Sequence, residues 1–423
     1  MKIRLAYGKT GLNINLPDEL NITVIIPKFV KGITDQKGAI RKALKQPIKS
    51  LPLIKLVKPS DKIGIIFSDI TRPTPNKLIL PAIIDELEHI PQQNITLFNA
   101  LGTHRSNTET ELRMMLGDSI VENYQIVQNN ANDQSTQAYL GTTSKGHDIW
   151  LNQEMIKCDV KILTGFIEPH FFAGFSGGGK AIMPGMAGQQ SVLGNHDANM
   201  ISHPKATWGI TEGNPIWEEI HEVALKVGKS FLLNVSLNNK NQITGIFSGD
   251  LSAAHKAGCN FVKETAMVPV SHYFDIVIAS NSGYPLDLNL YQSVKGMSAA
   301  AQIVRKGGTI IVAASCWDGI PDHGLYGQLL KDAKNPKDLL NKIHKPGFLK
   351  QDQWQVQIQA QIQLKANVFI HSNNLTPTQI HTAMLQASEN IEETLEDVLK
   401  KYGHQASICV LPEGPQTIPY VKY

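Results

Sequence analysis

The sequence predicts an α/β protein of two domains, each built on a mostly parallel sheet, and three observations carry that reading. Short β-branched runs alternate with turns and amphipathic helical segments, which is the pattern of strand, crossover helix and parallel strand. The chain has 423 residues, enough for two or three domains with proper cores. The alternation stops and restarts near Pro269, so a boundary is placed there, giving 1–268 and 269–423.

In order, Ile63 to Ser68 (IGIIFS) reads as a buried strand, followed by a proline-punctuated turn and a helix over 76–89. Asn94 to Asn99 repeats the unit, and Ser106 with Glu109 forms a capping-box pattern at the next helix. Asp159 to Gly165 is a third strand. Phe231 to Val235 and Ile243 to Phe247 read as a hairpin, with a helix over 252–264 after it. Beyond the boundary come strands at 275–280, 309–314 and 367–371, and helices at 288–304, 351–363 and 391–401. The last strand, 406–411, is not assigned by pattern, and its return to the first domain is left open. No repeat, low-complexity tract or flexible linker is visible.

Composition excludes several function classes. Forty Lys plus Arg against 37 Asp plus Glu leave a net charge of +3, spread along the chain without runs, which gives no footprint for a nucleic-acid partner. No apolar stretch approaches the roughly 18 to 20 residues of a membrane helix, and the N-terminus lacks the apolar core of a secretory signal. A cytoplasmic protein that engages neither membrane nor nucleic acid is therefore expected. Cys158, Cys259, Cys316 and Cys409 form no C-x-x-C pair and read as buried, reduced thiols.

Ligands of open parallel sheets sit outside the carboxyl ends of strands, so the residues just after each apolar run are where chemistry is sought. Ser68 to Pro75 (SDITRPTP) gives a stiff turn that presents Asp69 and Arg72, either toward a ligand or toward each other. GTHR places His104 after the next strand and GFIEPH places His170 after the third. Two histidines at the tips of neighbouring strands suggest an acid and base pair. Gly174 to Gly185 (GFSGGGKAIMPG) nearly matches a phosphate-binding loop, but Ala181 has no hydroxyl for Mg²⁺ and Pro184 interrupts the helix such a loop needs. What remains is a glycine-rich loop presenting Lys180, a point charge or a nucleophile. Gly194-Asn195-His196 ends a short predicted helix, and Gln292 and Lys295 share one face of another.

Together, SDITRPTP, ALGTHR, GFIEPHFFAGFSGGGKAIMPG, GNH and YPLDLNLYQSVKGMSAA resemble the nickel-dependent lactate racemase family, in order and over nearly the whole length. The resemblance implies two α/β domains with the active site in the cleft between them. It implies a nickel pincer nucleotide, a nickel(II) pyridinium-3,5-bisthiocarboxylate mononucleotide, tethered through Lys180. His196 would be the protein's metal ligand in a square-planar set. His104 and His170 would be the acid/base pair. Asp69, Ile70, Thr71 and Arg72 would contact the cofactor, and Arg72, Gln292, Lys295 and Trp354 the substrate. One departure is Gly179, where some members have Arg beside the tethering lysine. The implied reaction is racemisation or epimerisation of a 2-hydroxy acid by reversible hydride transfer through a 2-keto acid. The partners implied are that small molecule and the proteins that make the cofactor. A metal-dependent hydrolase or lyase using the three histidines, and a non-catalytic carrier of organic anions or nucleotides, are the alternatives.

Overall fold

In the computed structural model, which describes residues 1–322 and 324–422, the chain forms two compact units. One comprises Phe29–His196 and His203–Thr265 and the other Met1–Lys28, Asp197–Ser202 and Ala266–Tyr423. Both are α/β units dominated by parallel pairing, so the predicted fold class is borne out.

The first unit holds a six-stranded sheet in the spatial order Ile243–Gly249, Ser230–Leu237, Val160–Phe166, Ile63–Ser68, Ile95–Ala100, Gln125–Gln128. All pairs are parallel except the hairpin of Ser230–Leu237 with Ile243–Gly249. Ile65, Phe67, Leu97, Ile162 and Leu233 are fully buried between the helical layers, as the unbroken apolar runs of these strands require. The chain runs outward from Ile63–Ser68 through Ile95–Ala100 to Gln125–Gln128, then returns to its other side at Val160–Phe166. That reversal is a topological switch point, the place where an open sheet leaves a crevice at its carboxyl edge. Pairing across it stops at Ile66↔Leu163, although the other side of the same strand stays paired to Ser68↔Ala100. The Thr164 hydroxyl donates to the Ile66 carbonyl at 2.8 Å, satisfying the acceptor where the ladder parts.

The second unit holds another six-stranded sheet, entirely parallel, in the order Gln386–Ala387, Asn367–His371, Val304–Ala313, Phe274–Ser280, Ile408–Leu411, Ile22–Val24. The arrangement differs from a single boundary at 268. The N-terminal hairpin, Lys2–Leu5 with Leu12–Asn15, packs Ile3, Leu5 and Ile14 into the second unit's core, and Ile22–Val24 is its edge strand. The strand predicted at 406–411, observed as Ile408–Leu411, also stays in this sheet and does not return to the first unit. Helix Ala198–Ser202 joins it too, because Gln357 donates to the Ala198 carbonyl at 2.8 Å and to Ser202 Oγ at 2.7 Å.

Local differences are small. The helix after the first strand ends at Glu86. The capping box is Thr108 with Glu111, not Ser106 with Glu109: Glu111 N–H donates to Thr108 Oγ1 at 3.2 Å, and Thr108 N–H to Glu111 Oε2 at 2.8 Å. Arg105 forks onto the same carboxylate at 2.9 and 2.7 Å, which fixes the start two residues later.

Candidate active site

The site is built on the carboxyl edge of the first unit's sheet. Ile63–Ser68 runs directly into Asp69, whose turn is closed by the Arg72 N–H on the Asp69 carbonyl at 3.1 Å. Asp69 is buried and does not pair with Arg72. Its carboxylate accepts Nδ1–H of His104 at 2.7 Å and the Thr71 hydroxyl at 2.8 Å. Burial alone would raise this carboxyl, but the bond and charge of His104, with Arg72 nearby, hold it below the usual range. With Nδ1–H committed to Asp69, the neutral His104 ring has its lone pair at Nε2, and the side chain is 45% exposed, so that nitrogen can meet a small molecule. Ile70 is half-buried, while Thr71 and Arg72 are exposed.

His104 and His170 do not follow neighbouring strands. Their strands, Ile95–Ala100 and Val160–Phe166, flank Ile63–Ser68, so the Asp69 turn leaves the strand between them. Pro169–His170 folds back antiparallel on Gly174–Phe175, closing a tight turn around Phe171, Phe172 and Ala173. Within it, His170 Nδ1 accepts the Ala173 N–H at 3.2 Å, so the hydrogen of the neutral ring lies on Nε2. The two histidines are thus set in opposite tautomers.

Phe172 gathers three of the predicted residues. Its ring meets His170 edge-on at 4.5 Å and His196 edge-on at 4.9 Å, and Lys180 Nζ lies 5.7 Å from its centroid. Lys180 stands in a short 3₁₀ turn, Gly178–Ala181, and no long helix follows it, which agrees with the rejection of a nucleotide loop. The sequence-predicted short helix is Gln189–Asn195, with His196 as its C-cap. His196 is 4% exposed, and burial, reinforced by the positive charge of Lys180, pushes its imidazole down to about 3, so it is neutral at physiological pH. The His104 turn is tied to the lysine segment by the Gly102 N–H on the Gly185 carbonyl at 2.9 Å.

Sequence reasoning missed several neighbours. Phe172 was readable only as an apolar residue between motifs. Glu219, on helix Pro215–Lys226, is a fully buried carboxylate that accepts Asn195 Nδ2–H at 2.8 Å and His147 Nδ1–H at 2.8 Å, anchoring the residue before His196. Asn234 interrupts the apolar run Phe231 to Val235 in its strand, which is a signal the sequence does offer. At Gly179, a Cβ would lie 2.9 Å from Ala224 Cβ and 3.1 Å from the Ile220 carbonyl of the same helix, so this loop has no space for a side chain there. The departure at Gly179 therefore has a packing cause.

In the second unit, Gln292 and Lys295 lie half-buried in the first turns of helix Leu290–Ala301, whose N-cap Asn289 accepts the Gln292 N–H at 3.1 Å. Trp354 is 6% exposed in helix Gln353–Lys365 and donates to the Tyr291 hydroxyl at 3.1 Å, which makes it a packed residue of this unit. Among the described residues no three His, Cys, Asp or Glu side chains gather closely enough to hold a metal. His104, His170 and His196 are accordingly not a shared ligand set, which removes the geometry that a three-histidine hydrolase or lyase requires. No helix among the described residues is long and apolar enough to cross a membrane.

Residues 7–209 match the family model of the lactate racemase N-terminal domain, and residues 270–418 that of the lactate racemase C-terminal domain. The chain is 36% identical over 421 residues to the lactate racemase of Thermoanaerobacterium thermosaccharolyticum, covering 98% of each. It is 36% identical over 418 residues to that of Lactiplantibacillus plantarum, covering 97% of this chain and 98% of the relative. It is similar throughout, with a TM-score of 0.93 and 35% identity, to the structure of the T. thermosaccharolyticum lactate racemase apoprotein, covering 100% of both chains. A Thermotoga maritima protein shares the fold at a TM-score of 0.69 and 17% identity, over 91% of this chain and 98% of that one.

Proposed function

Because the chain belongs to the lactate racemase family and is an isomerase, a racemase, we propose that it interconverts the enantiomers of lactate or a lactate-like 2-hydroxy acid. The observation that carries this is the Phe172 contact set, which brings a lysine amine, a neutral buried imidazole and an acid/base histidine around one ring. The reading includes a nickel pincer nucleotide attached through Lys180 and ligated by His196, with Asp69 to Arg72 beside it. These residues fit such a group: neutral imidazole is the metal-binding form, and burial keeps His196 in that form. A single protein imidazole also suits a metal whose other ligands come from the cofactor.

The α-hydrogen of a 2-hydroxy acid is far too weakly acidic for histidine to remove as a proton. When bound, the cofactor supplies a carbon electrophilic enough to accept it as a hydride and to return it on either face. The rest falls to the chain. His104 Nε2 takes the hydroxyl proton, and the imidazolium formed is stabilised by the Asp69 carboxylate. The substrate becomes a planar 2-keto acid. When hydride returns to its other face, the oxygen takes its proton from His170, which for this must be protonated at both nitrogens with Nδ1 released from Ala173. If the keto acid has turned, the proton comes back from the His104 imidazolium. Serving as base for the opposite enantiomer requires His170 to release Ala173 and accept the proton at Nε2. Arg72, Gln292 and Lys295 are assigned to the carboxylate, and Trp354 to the wall of the substrate site. The proteins that build and load the cofactor are the implied partners.

Peptide mapping of protein from a cofactor-producing host, alongside racemisation of L-lactate, tests the reading. The expected result is a mass of several hundred daltons on Lys180, about that of a modified nucleotide. Racemisation by protein with unmodified Lys180 would overturn the tether.

A further inference from the structure

Two buried side chains hold the glycine loop from beneath. Asn234, in strand Ser230–Leu237, accepts the Gly178 N–H on Oδ1 at 2.7 Å. His255, on helix Leu251–Ala266, donates Nε2–H to the Ser176 carbonyl at 2.9 Å. They are 1% and 3% exposed. Burial holds the His255 imidazole down to about 4, so the ring is neutral and its one N–H is committed to Ser176.

The backbone between these bonds has a shape that depends on them. Gly177 and Gly178 have φ of 75° and 57°, in the left-handed region that favours glycine. A Cβ on Gly177 would lie 2.5 Å from Asn234 Oδ1, and one on Gly178 2.7 Å from the His255 ring. The turn then closes with the Lys180 N–H on the Gly177 carbonyl at 3.1 Å. Burying an amide and an imidazole costs more than burying apolar groups of equal size unless their bonds are made. Here those bonds converge on the residues directly before Lys180.

We propose that Asn234 and His255 are positioning residues for Lys180, clamping Ser176 to Gly178 so that the amine is presented to the group it carries. This rests on the reading of Lys180 as the attachment point. Both bonds end on loop backbone, at the Gly178 N–H and the Ser176 carbonyl. Their effect passes through the loop backbone.

The test uses the full chain, purified alone and after co-expression with the cofactor-making proteins. Asn234→Leu and His255→Leu each remove the bond to the loop at similar volume, together with the lesser contacts to the Leu233 carbonyl and the Cys259 thiol. Asn234→Asp, by contrast, keeps an oxygen acceptor and His255→Gln keeps an N–H donor. Occupancy of the Lys180 adduct is expected to fall at least about tenfold in folded Leu variants, because small displacements of a reacting group are costly. It should recover in the Asp and Gln variants, a rescue that a packing role alone would not give. Full occupancy in a folded Leu variant overturns the proposal. Should even the unsubstituted chain carry no adduct, the functional reading fails, and the clamp is decided in the protein purified alone. Exchange of the Gly178 amide should then be slow, and at least about tenfold faster in the Leu variants. If those variants do not fold, the unsubstituted chain decides: exchange as fast as in an open turn overturns the clamp, and protection supports it.

Discussion

Asp69 and His104 lie 2.7 Å apart at the ends of adjacent parallel strands, with the carboxylate buried and the imidazole edge exposed. The carboxylate fixes Nδ1–H, aims Nε2 outward and meets the positive charge formed when Nε2 takes a proton. Asp69→Asn keeps the shape but accepts through an amide oxygen without charge, or donates and inverts the tautomer. It is expected to lower kcat by about 100-fold or more, with the melting temperature little changed. The double variant with His104→Ala should be no worse than His104→Ala alone, since Asp69 acts through that ring. Independent, multiplying losses in the cycle would refute the coupling.

The second prediction concerns both histidines. Enantiomers are equal in free energy, so any variant must lower kcat/KM for the two directions by the same factor. His104→Ala and His170→Ala should each do so by at least about 100-fold, the usual scale for an acid/base group. The Lys180 adduct should remain, because neither side chain is assigned to the tether. Racemisation at the unsubstituted rate in either variant, with the adduct present, would show the pair to be structural.

Five of the six strands of the first unit's sheet and the turns that carry the candidate site were legible because strands buried on both faces are continuous apolar runs followed by polar turns. The edge strand Gln125–Gln128, which has no fully buried residue, gives no such run. Ile63 to Ser68 and 367–371 were readable to the residue. The N-terminal strands were not, because Ile22–Val24 is a three-residue edge that owes its place to Ile408–Leu411, nearly 400 positions away. Similarly, the Asp69 partner could be guessed only within its own turn, since the spatial order of strands decides that His104 is nearer than Arg72. Phe172, Glu219 and His255 were hidden for the same reason: each meets the site through tertiary contact, and no spacing announces it.

A third prediction tests the assigned ligand. His196→Ala removes a buried side chain at a helix end that Asn195 and Glu219 still hold. The cavity should cost up to about 3 kcal/mol, which leaves the chain folded. Nickel measured by metal analysis after co-expression should fall at least about tenfold, the lower bound even for losing a group that supports a ligand. Undiminished nickel in the variant would exclude His196 as the ligand.

The last prediction is the acid side of the stability profile of the protein purified alone. The His255 imidazole sits at about 4 in the folded chain, through burial first and then the charges of His221 and Lys180, against 6.5 when free of the fold. A lowered histidine favours the unfolded state once that state takes up the proton. Its contribution is therefore intact above about pH 6.5, erodes as pH falls toward 4 and levels off below, a loss on the order of 3 kcal/mol. Asp69 acts in the same direction but in a lower window: its lowered carboxyl stabilises above the usual carboxylate range and that contribution is lost only below it, so it adds no slope between pH 7 and 5. Thermal melts of the unsubstituted chain should shift to lower temperature across that interval. In His255→Gln, which cannot take up a proton, the stability should fall less steeply by up to about 1.4 kcal/mol per pH unit near pH 5. Parallel profiles for the two proteins would mean that His255 is already protonated in the fold, and its bond to Ser176 would then have to be made by an imidazolium.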